Sequence, residues 1–305
     1  MRNGNRHTSA RWAALLRSLG HRVYLQMSWN EKPIDLMLAL HARRSYDSIK
    51  RFAAAYPERP LIVALTGTDL YRDIRVDADA KQSMALATRM IVLQEMGLKE
   101  LSAQLAAKTR VVYQSADAVA TQPPLKNCFE VCVIGHLREE KDPLRAAMAL
   151  AHVPADSFIR VTQLGRSLDP ELEQSAKLIM AEDPRYRWCG EVPHWKAARV
   201  LARSRIMVIS SRMEGGANVV SEALMAGVPV IASKISGNIG MLGADYPGYF
   251  PVGNERALAR LLVRAEQDSD CYRALRRHCA ERKKLISVAK EKRALALLID
   301  ELSSG

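Results

Sequence analysis

Residues 206–233 constrain the fold more than any other stretch of this chain. Ile206-Met-Val-Ile is an unbroken apolar run, and it gives way to a small polar loop, Ser210-Ser-Arg-Met-Glu-Gly-Gly-Ala. Apolar residues then recur at helical spacing over 219–225, and a second apolar run, 228–232, follows Gly227. Two short apolar runs flanking one helix predict a strand, a tight loop, a helix and a parallel strand. Gly215 and Gly216 allow backbone to approach a ligand closely, and the N–H groups at the helix start around Ala217, Asn218 and Val219 favour an anion such as a diphosphate. Glu214 before the helix and Glu222 within it flank the same loop, so the unit suits a ligand with a phosphate end and a hydroxyl end.

The rest of the chain repeats the alternation. A helix is predicted over residues 9–19, after Asn3-Gly-Asn-Arg-His-Thr, followed by a short strand at 21–25. Further strands are predicted at 35–41, 60–65, 90–93 and 109–113, with helices at 43–55, 78–87 and 98–106 between them. Such an order argues a parallel, doubly wound sheet. Residues 115–127, with Pro123-Pro124, break the pattern and mark a boundary. Beyond it come strands at 129–135, 159–164 and 186–189, helices at 144–150, 171–181 and 196–203, the unit at 206–233, and a strand at Tyr249-Phe-Pro-Val. Residues 270–302 read as helical and strongly charged. The expected fold class is α/β, with a Rossmann-like domain at 1–122 and a second at 123–305 whose last helices cross back to the first.

Composition narrows the function. The chain has 305 residues, enough for two domains, and no apolar stretch near the about 18–20 residues that a membrane crossing needs. With no signal-peptide segment at the start, a cytoplasmic protein is expected. Cys128, Cys132, Cys189, Cys271 and Cys279 are odd in number and form no Cys-x-x-Cys pair, which predicts reduced, buried thiols rather than disulfides or zinc. The formal charge of +12 raises nucleic acid as a partner. The basic residues are nevertheless spread out, densest over 273–292, and carry no interleaved aromatics. Anionic small-molecule substrates account for the charge as economically.

Several residues can do chemistry at strand ends, where ligands of such sheets bind. Arg138 and Lys141 follow the strand at 129–135 three residues apart; Arg holds phosphate oxygens in a planar fork and Lys acts as a point charge. A carboxylate accepts two hydroxyl hydrogen bonds at once, which suits Glu214 and Glu222 to vicinal diols. Asn218 lies four residues before Glu222 and shares its helix face. On the first half, His41 and the turn Thr66-Gly-Thr-Asp69 lie at strand ends, although Asp69 serves equally as a helix cap.

Glu214-x7-Glu222, followed by Ala-Leu-Met-Ala-Gly-Val-Pro-Val-Ile-Ala, together with Gly135-His-Leu-Arg138-x-x-Lys141-Asp-Pro upstream, resembles the donor domain of GT-B fold glycosyltransferases that use nucleotide sugars. The likeness covers about residues 129–253. It departs in one place, where the usual Glu-Gly-aromatic-Gly loop reads Glu214-Gly-Gly-Ala. The resemblance implies that Arg138 and Lys141 hold the diphosphate, Glu214 meets the sugar hydroxyls, Glu222 binds the ribose, and backbone near Gly190, Glu191 and Val192 receives the base.

Over nearly the whole chain, Gly4-Asn-Arg-x-Thr-x-x-Arg11-Trp, Leu40-His-Ala-Arg-Arg-Ser, Leu65-Thr-Gly-Thr-Asp-Leu-Tyr-Arg-Asp and Asp245-Tyr-Pro-Gly-Tyr-Phe-Pro-Val-Gly resemble the selenosugar synthases of selenoneine biosynthesis. Those relatives begin with a strand and a glycine-rich loop ahead of the segment matching Gly4, so the first sheet is expected to lack its first strand. The resemblance implies transfer of N-acetylglucosamine from UDP-N-acetylglucosamine to selenophosphate, with loss of UDP and phosphate. It places selenophosphate near Asn5, Arg6, His41, Arg43, Thr66, Gly67, Thr68 and Asp69, with His41 and Glu214 nearest the chemistry. No metal or other cofactor is called for, since cations and a helix start neutralise the departing diphosphate, and no Asp-x-Asp motif is expected to hold a metal. Transfer to a hydroxyl acceptor on the same scaffold, and a catalytically silent nucleotide-sugar binder, remain as alternatives.

Overall fold

The computed structural model describes residues 4–120 and 122–303. Residues 1–3, expected to lead into the first helix, and Thr121, in the expected boundary, lie outside the described residues. The chain divides into two compact units, one comprising 1–115 with 286–305 and the other 116–285. The passage between them thus falls at Ser115–Ala116, ahead of the Pro123-Pro124 break.

The first unit is built on four parallel strands in the order β1 (Met37–Leu40), β2 (Leu61–Leu65), β3 (Arg89–Val92) and β4 (Thr109–Val111). Helices α1 (Gly4–Arg17), α2 (Tyr46–Ala55), α3 (Ile74–Val76), α4 (Ala78–Leu86) and α5 (Ala103–Ala107) accompany it. All five residues of β2 are buried, which explains its unbroken Leu-Ile-Val-Ala-Leu: a parallel strand covered on both faces needs apolar groups at every position. Alternation sorts them into two cores. Leu61, Val63 and Leu65 pack with Trp29, Ile49 and Phe52, whereas Ile62 and Ala64 pack with Trp12, Leu16 and Ile91.

Three expectations change here. Residues 21–25 form no strand; Tyr24 and Leu25 are exposed, so their apolar groups are not sheet-forming ones. The helix expected over 98–106 is a 3-10 segment, Glu95–Glu100, followed by the short α5, because Gln94 and Ser102 each accept a backbone N–H and start a new turn. Finally, Asn5 and Arg6 lie in the first turn of α1 rather than in a glycine loop.

The second unit carries six parallel strands: β5 (Phe129–Ile134), β6 (Ile159–Leu164), β7 (Tyr186–Trp188), β8 (Ile206–Ile209), β9 (Val230–Ser233) and β10 (Tyr249–Phe250). Their order is β10-β9-β8-β5-β6-β7. Helices α6 (Arg145–Ala149), α7 (Pro170–Glu182), α8 (His194–Arg203), α9 (Asn218–Ala226), α10 (Ser236–Leu242), α11 (Glu255–Gln267) and α12 (Ser269–Lys283) accompany it. The chain builds β5, β6 and β7 outward on one side and then returns to lay β8 on the other side of β5. That reversal leaves a crevice beyond the carboxyl ends of β5 and β8, where doubly wound sheets bind ligands.

The charged tail forms two helices, and its last, α13 (Val288–Ser303), belongs to the first unit. Its Leu295 and Leu298 join the Trp12 core. Glu291, almost fully buried, accepts from Arg11 Nε at 3.1 Å, Trp12 Nε1 at 2.7 Å and Ser115 N at 2.9 Å, and also from the Ser115 hydroxyl. A carboxylate can be buried so deeply only when its lone pairs are met in this way. Near the end of α13, Glu301 receives Arg89 and Arg110.

Candidate functional site

The crevice of the second unit is lined by the ends of β5 and β8 and the loops that follow them, including Gly135, His136, Lys141, Pro143, Ser210, Ser211, Glu214 and Val219. The two loops are tied to each other. Arg212 N donates to Glu140 O at 2.9 Å, and the Ser210 hydroxyl donates to Asp142 O at 2.7 Å. Asp142 takes a left-handed conformation, φ 43°, which turns the chain into α6. Within this frame the Lys141 ammonium donates to Glu214 Oε1, and the Ser211 hydroxyl reaches the same oxygen at 2.6 Å. A further buried chain supports the carboxylate. Asn238 Nδ2 donates to Ser233 Oγ at 3.1 Å, and Ser233 Oγ donates to Ser211 O at 2.6 Å.

The floor is made of glycines. Gly135 and Gly165 stand immediately after β5 and β6 and Gly190 two residues after β7, and they are linked edge to edge, Gly135 N to Leu164 O at 2.9 Å and Gly165 N to Gly190 O at 2.8 Å. Gly165 has φ 147° and a Cβ there would collide with the Gly135 carbonyl, so no other residue fits without a backbone shift. Gly237 likewise sits against the carbonyl of Glu214, holding α10 under the loop. Gly165 and Gly237 escaped the sequence reading; the signal for Gly165 was a glycine directly after a predicted strand, as Gly135 ends another.

His136 was also missed. Its Nδ1 accepts from Arg166 N at 3.1 Å, so the ring proton sits on Nε2 and is a donor for a ligand in the crevice that the ring lines. Arg138, by contrast, is not among the lining residues. Its side chain is 44% exposed and lies 4.0 Å from Glu140. The helix start expected to meet a diphosphate is α9, with Ala217 at the N-cap position and no side-chain cap, so its first N–H groups are not covered by a capping side chain. Gly215 and Ala217 are buried, whereas Gly216, Asn218 and Val219 are half-buried. Glu222, one turn into α9, lies with Oε1 3.5 Å from His194 Nε2 at the start of α8, another residue the sequence reading did not single out. Gly190, Glu191 and Val192 lead into α8, with Glu191 exposed.

In the first unit the residues expected around an acceptor behave differently. His41 is 3% exposed at φ 80°, a strained conformation for a residue with a side chain. Its Nδ1 accepts from Arg44 N at 3.4 Å, which leaves the proton on Nε2 to meet Thr68 Oγ1 at 3.0 Å. Burial holds its imidazole below the ordinary value, with Asp69 and Asp73 opposing and Arg44 and Arg43 adding to the effect. Both ring nitrogens thus have partners within the fold. Asp69 is fully buried and accepts from Thr66 N at 2.9 Å, Gly67 N at 2.8 Å and Ala42 N at 3.1 Å. Its carboxylate ties the loop after β1 to the loop after β2. The N–H groups of Thr66 and Gly67 are consumed by it. Thr68 and Arg43 keep some exposure.

The chain's two Asp-x-Asp triplets, Asp77-Ala-Asp79 and Asp268-Ser-Asp270, correct the expectation that it has none. Each opens a helix: Asp77 accepts from Ala80 N, and Asp268 accepts from Asp270 N and Cys271 N. Among the described residues no group of three or more His, Cys, Asp or Glu is arranged to hold a metal ion. Nor, among them, is any helix long and apolar enough to cross a membrane.

The same architecture is found in solved structures. HepE of Anabaena, in complex with UDP and glucose, superposes with a TM-score of 0.73 at 19% identity, covering 88% of this chain and 78% of that one. Sucrose-phosphate synthase of Thermosynechococcus elongatus gives 0.70 at 16% identity, covering 88% and 74%. No curated protein is significantly similar in sequence. Two α/β units built on parallel sheets, one with a crevice at its switch point, fit the GT-B fold. The model of the family "Glycosyl transferases group 1" matches residues 119–286, more than half of the chain, and the protein belongs to that family.

Proposed function

We propose that this glycosyltransferase moves N-acetylglucosamine from UDP-N-acetylglucosamine to selenophosphate. The observation that carries the donor half is the meeting of Lys141 and Glu214, from two different loops, at the switch point between β5 and β8. On this reading Lys141, the His136 Nε2–H and the start of α9 face the diphosphate, with Arg138 as a further cation from the solvent side. Fixed donors placed where negative charge develops on the leaving group lower the barrier without reorganisation. Glu214, backed by Ser211, accepts from sugar hydroxyls. Glu222 accepts from the ribose, and the backbone of Gly190, Glu191 and Val192 borders the base.

The acceptor half rests on the resemblance of the first unit's motifs to selenosugar synthases. Selenium attacks the anomeric carbon, the bond from that carbon to the diphosphate oxygen breaks, and UDP leaves with the electron pair. Water then cleaves the phosphorus–selenium bond to release phosphate and the selenosugar. Selenium in selenophosphate is already a strong nucleophile, so the reaction needs no strong general base. Arg43, Arg6 and Asn5 are the first-unit groups assigned to the anion.

The test is turnover with UDP-N-acetylglucosamine. UDP release that depends on selenophosphate, with a selenium-linked sugar as product, is expected. Release that depends instead on a sugar or lipid hydroxyl would overturn the acceptor, and tight UDP binding without turnover would favour a silent binder.

A further inference from the structure

The loops after β1 and β2 carry an arrangement that the sequence did not reveal. Asp73 is 4% exposed, yet it receives two arginines at once: Arg43 Nε reaches Oδ2 at 2.8 Å and Arg72 Nε reaches Oδ1 at 3.0 Å. Both bonds use Nε, so the terminal amino groups of each guanidinium are not spent on the carboxylate. The two side chains remain 40% and 51% exposed. Two cations on one anion leave a net positive charge, and Arg44 beside them is exposed as well. Burial alone would raise the Asp73 carboxyl, but the hydrogen bonds from Arg43 and Arg72 outweigh it and hold it below the usual carboxylate range. The anchor is thus charged at neutral pH. Asp77 also faces Arg43, although its carboxylate is engaged in capping α4.

The backbone around this pair is rigid and irregular. Arg72 and Asp73 belong to a single π-helical turn, Asp69–Asp73, a rare form that is frequent at functional sites. His41, at the foot of the Arg43 loop, is strained at φ 80°. The buried Asp69 carboxylate and the bond from Ser83 Oγ to Ala42 O at 2.7 Å lock the two loops together. An ordinary surface ion pair needs none of this support. Two guanidinium groups fixed through Nε, with their outer edges turned to solvent, match a tetrahedral oxyanion, which arginine binds bidentately.

We propose that Arg43 and Arg72, held side by side on Asp73, form an oxyanion site in the first unit that takes the phosphoryl group of the acceptor. The existence of the site stands on the geometry; its assignment to the acceptor rests on the function proposed above. The anion binds by replacing water on the outer edges of two guanidinium groups that are already placed, so little order is lost on binding.

The experiment is calorimetric titration of the full chain with inorganic phosphate and with thiophosphate, with UDP titrated in parallel. The wild-type chain is expected to bind both anions, and Arg43→Gln and Arg72→Gln each to weaken them at least about tenfold, with UDP affinity unchanged. Asp73→Asn is the decisive variant. It raises the net positive charge, so simple attraction predicts tighter phosphate binding, whereas a held pair predicts weaker binding. Because Asp73→Asn removes a buried charge, Arg43→Lys and Arg72→Lys serve as second variants; they keep the charge, lose the fork, and are expected to weaken phosphate binding while the chain still binds UDP. Absence of phosphate binding, an unaffected Arg72→Gln, or tighter binding by Asp73→Asn would overturn the site. Transfer to selenophosphate at unaltered KM in both Gln variants would also overturn it and leave the glycosyl-transfer reading standing. Phosphate held through these arginines, with no transfer to selenophosphate, would uphold the site and remove only the acceptor's identity.

Discussion

Replacing Lys141 by Ala tests the donor crevice most directly. The Lys141 ammonium is about four-fifths buried and bonded to Glu214, whose side chain is 9% exposed. Removing a charge-assisted hydrogen bond to the diphosphate costs about 1.5–3 kcal/mol, which corresponds to a Kd for UDP about 10 to 150 times higher. The substitution has a second effect, because Glu214 keeps only the Ser211 hydroxyl at 2.6 Å and becomes an uncompensated carboxylate beside the phosphates. For a phosphate charge at about 7 Å and an effective dielectric of about 20, that repulsion is roughly 2 kcal/mol. With both effects acting, Lys141→Ala is therefore expected to weaken UDP by about 3.5–5 kcal/mol. Glu214→Gln should leave UDP affinity equal or slightly tighter, since it frees the ammonium, while sugar transfer is lost. The double variant should bind UDP better than Lys141→Ala alone, with a coupling on the order of 2 kcal/mol. Isothermal titration at fixed ionic strength measures all three. An unchanged Kd in Lys141→Ala, or a double variant no better than the single one, would refute the shared role of the pair.

Other expectations follow from the same geometry. Glu222→Ala should weaken UDP but not 2′,3′-dideoxy-UDP, because its assigned contact is with the ribose hydroxyls; equal losses for both, read by titration, would reassign it. Gly165→Ala should destabilise the second unit by about 1–3 kcal/mol in urea unfolding and weaken UDP, because a Cβ there collides with the Gly135 carbonyl; a neutral substitution would mean that the glycine floor is not close-packed. His41, held by burial below its ordinary 6.5, gives a stability term that is complete above that value and is lost as pH falls from it toward the folded-state value, since the unfolded chain takes up the proton first. His41→Gln should flatten the loss in thermal melts as pH falls below about 6.5, while leaving kcat within a few-fold; a collapse of kcat with unchanged stability would give His41 a part in the chemistry.

Much of the architecture was legible because burial on both sheet faces imposes unbroken apolar runs, and helices impose their own period. The run Leu61–Leu65 and the pair of runs around α9 placed strands in both sheets without any knowledge of their order. Glu214, Gly215, Gly216 and Glu222 were picked out in the same local way, from their spacing around one predicted helix start. Where a side chain spends its hydrogen bonds was not. Asp69, His41 and Thr66 looked like ligand groups at strand ends, and the structure turns the first two inward and takes up the N–H of the third, because the loops after β1 and β2 need internal partners once they pack against each other. Arg138 and His136 are nearly adjacent in sequence, yet the imidazole lines the crevice and the guanidinium does not, a consequence of side-chain direction after β5.

By itself, then, the sequence determined an α/β chain of two parallel-sheet units and the chemical character of the loop that begins at Ser210. Only the tertiary structure decided that Lys141 meets Glu214 and that Arg43 and Arg72 share Asp73. It also decided that Glu291 returns the last helix to the first unit through Arg11, Trp12 and Ser115. Local propensity and periodicity act over a few residues, whereas these partners are joined by strand order and loop packing. A buried charge in such a place is tolerated only with its partner, so each partner is set by the fold rather than by spacing along the chain.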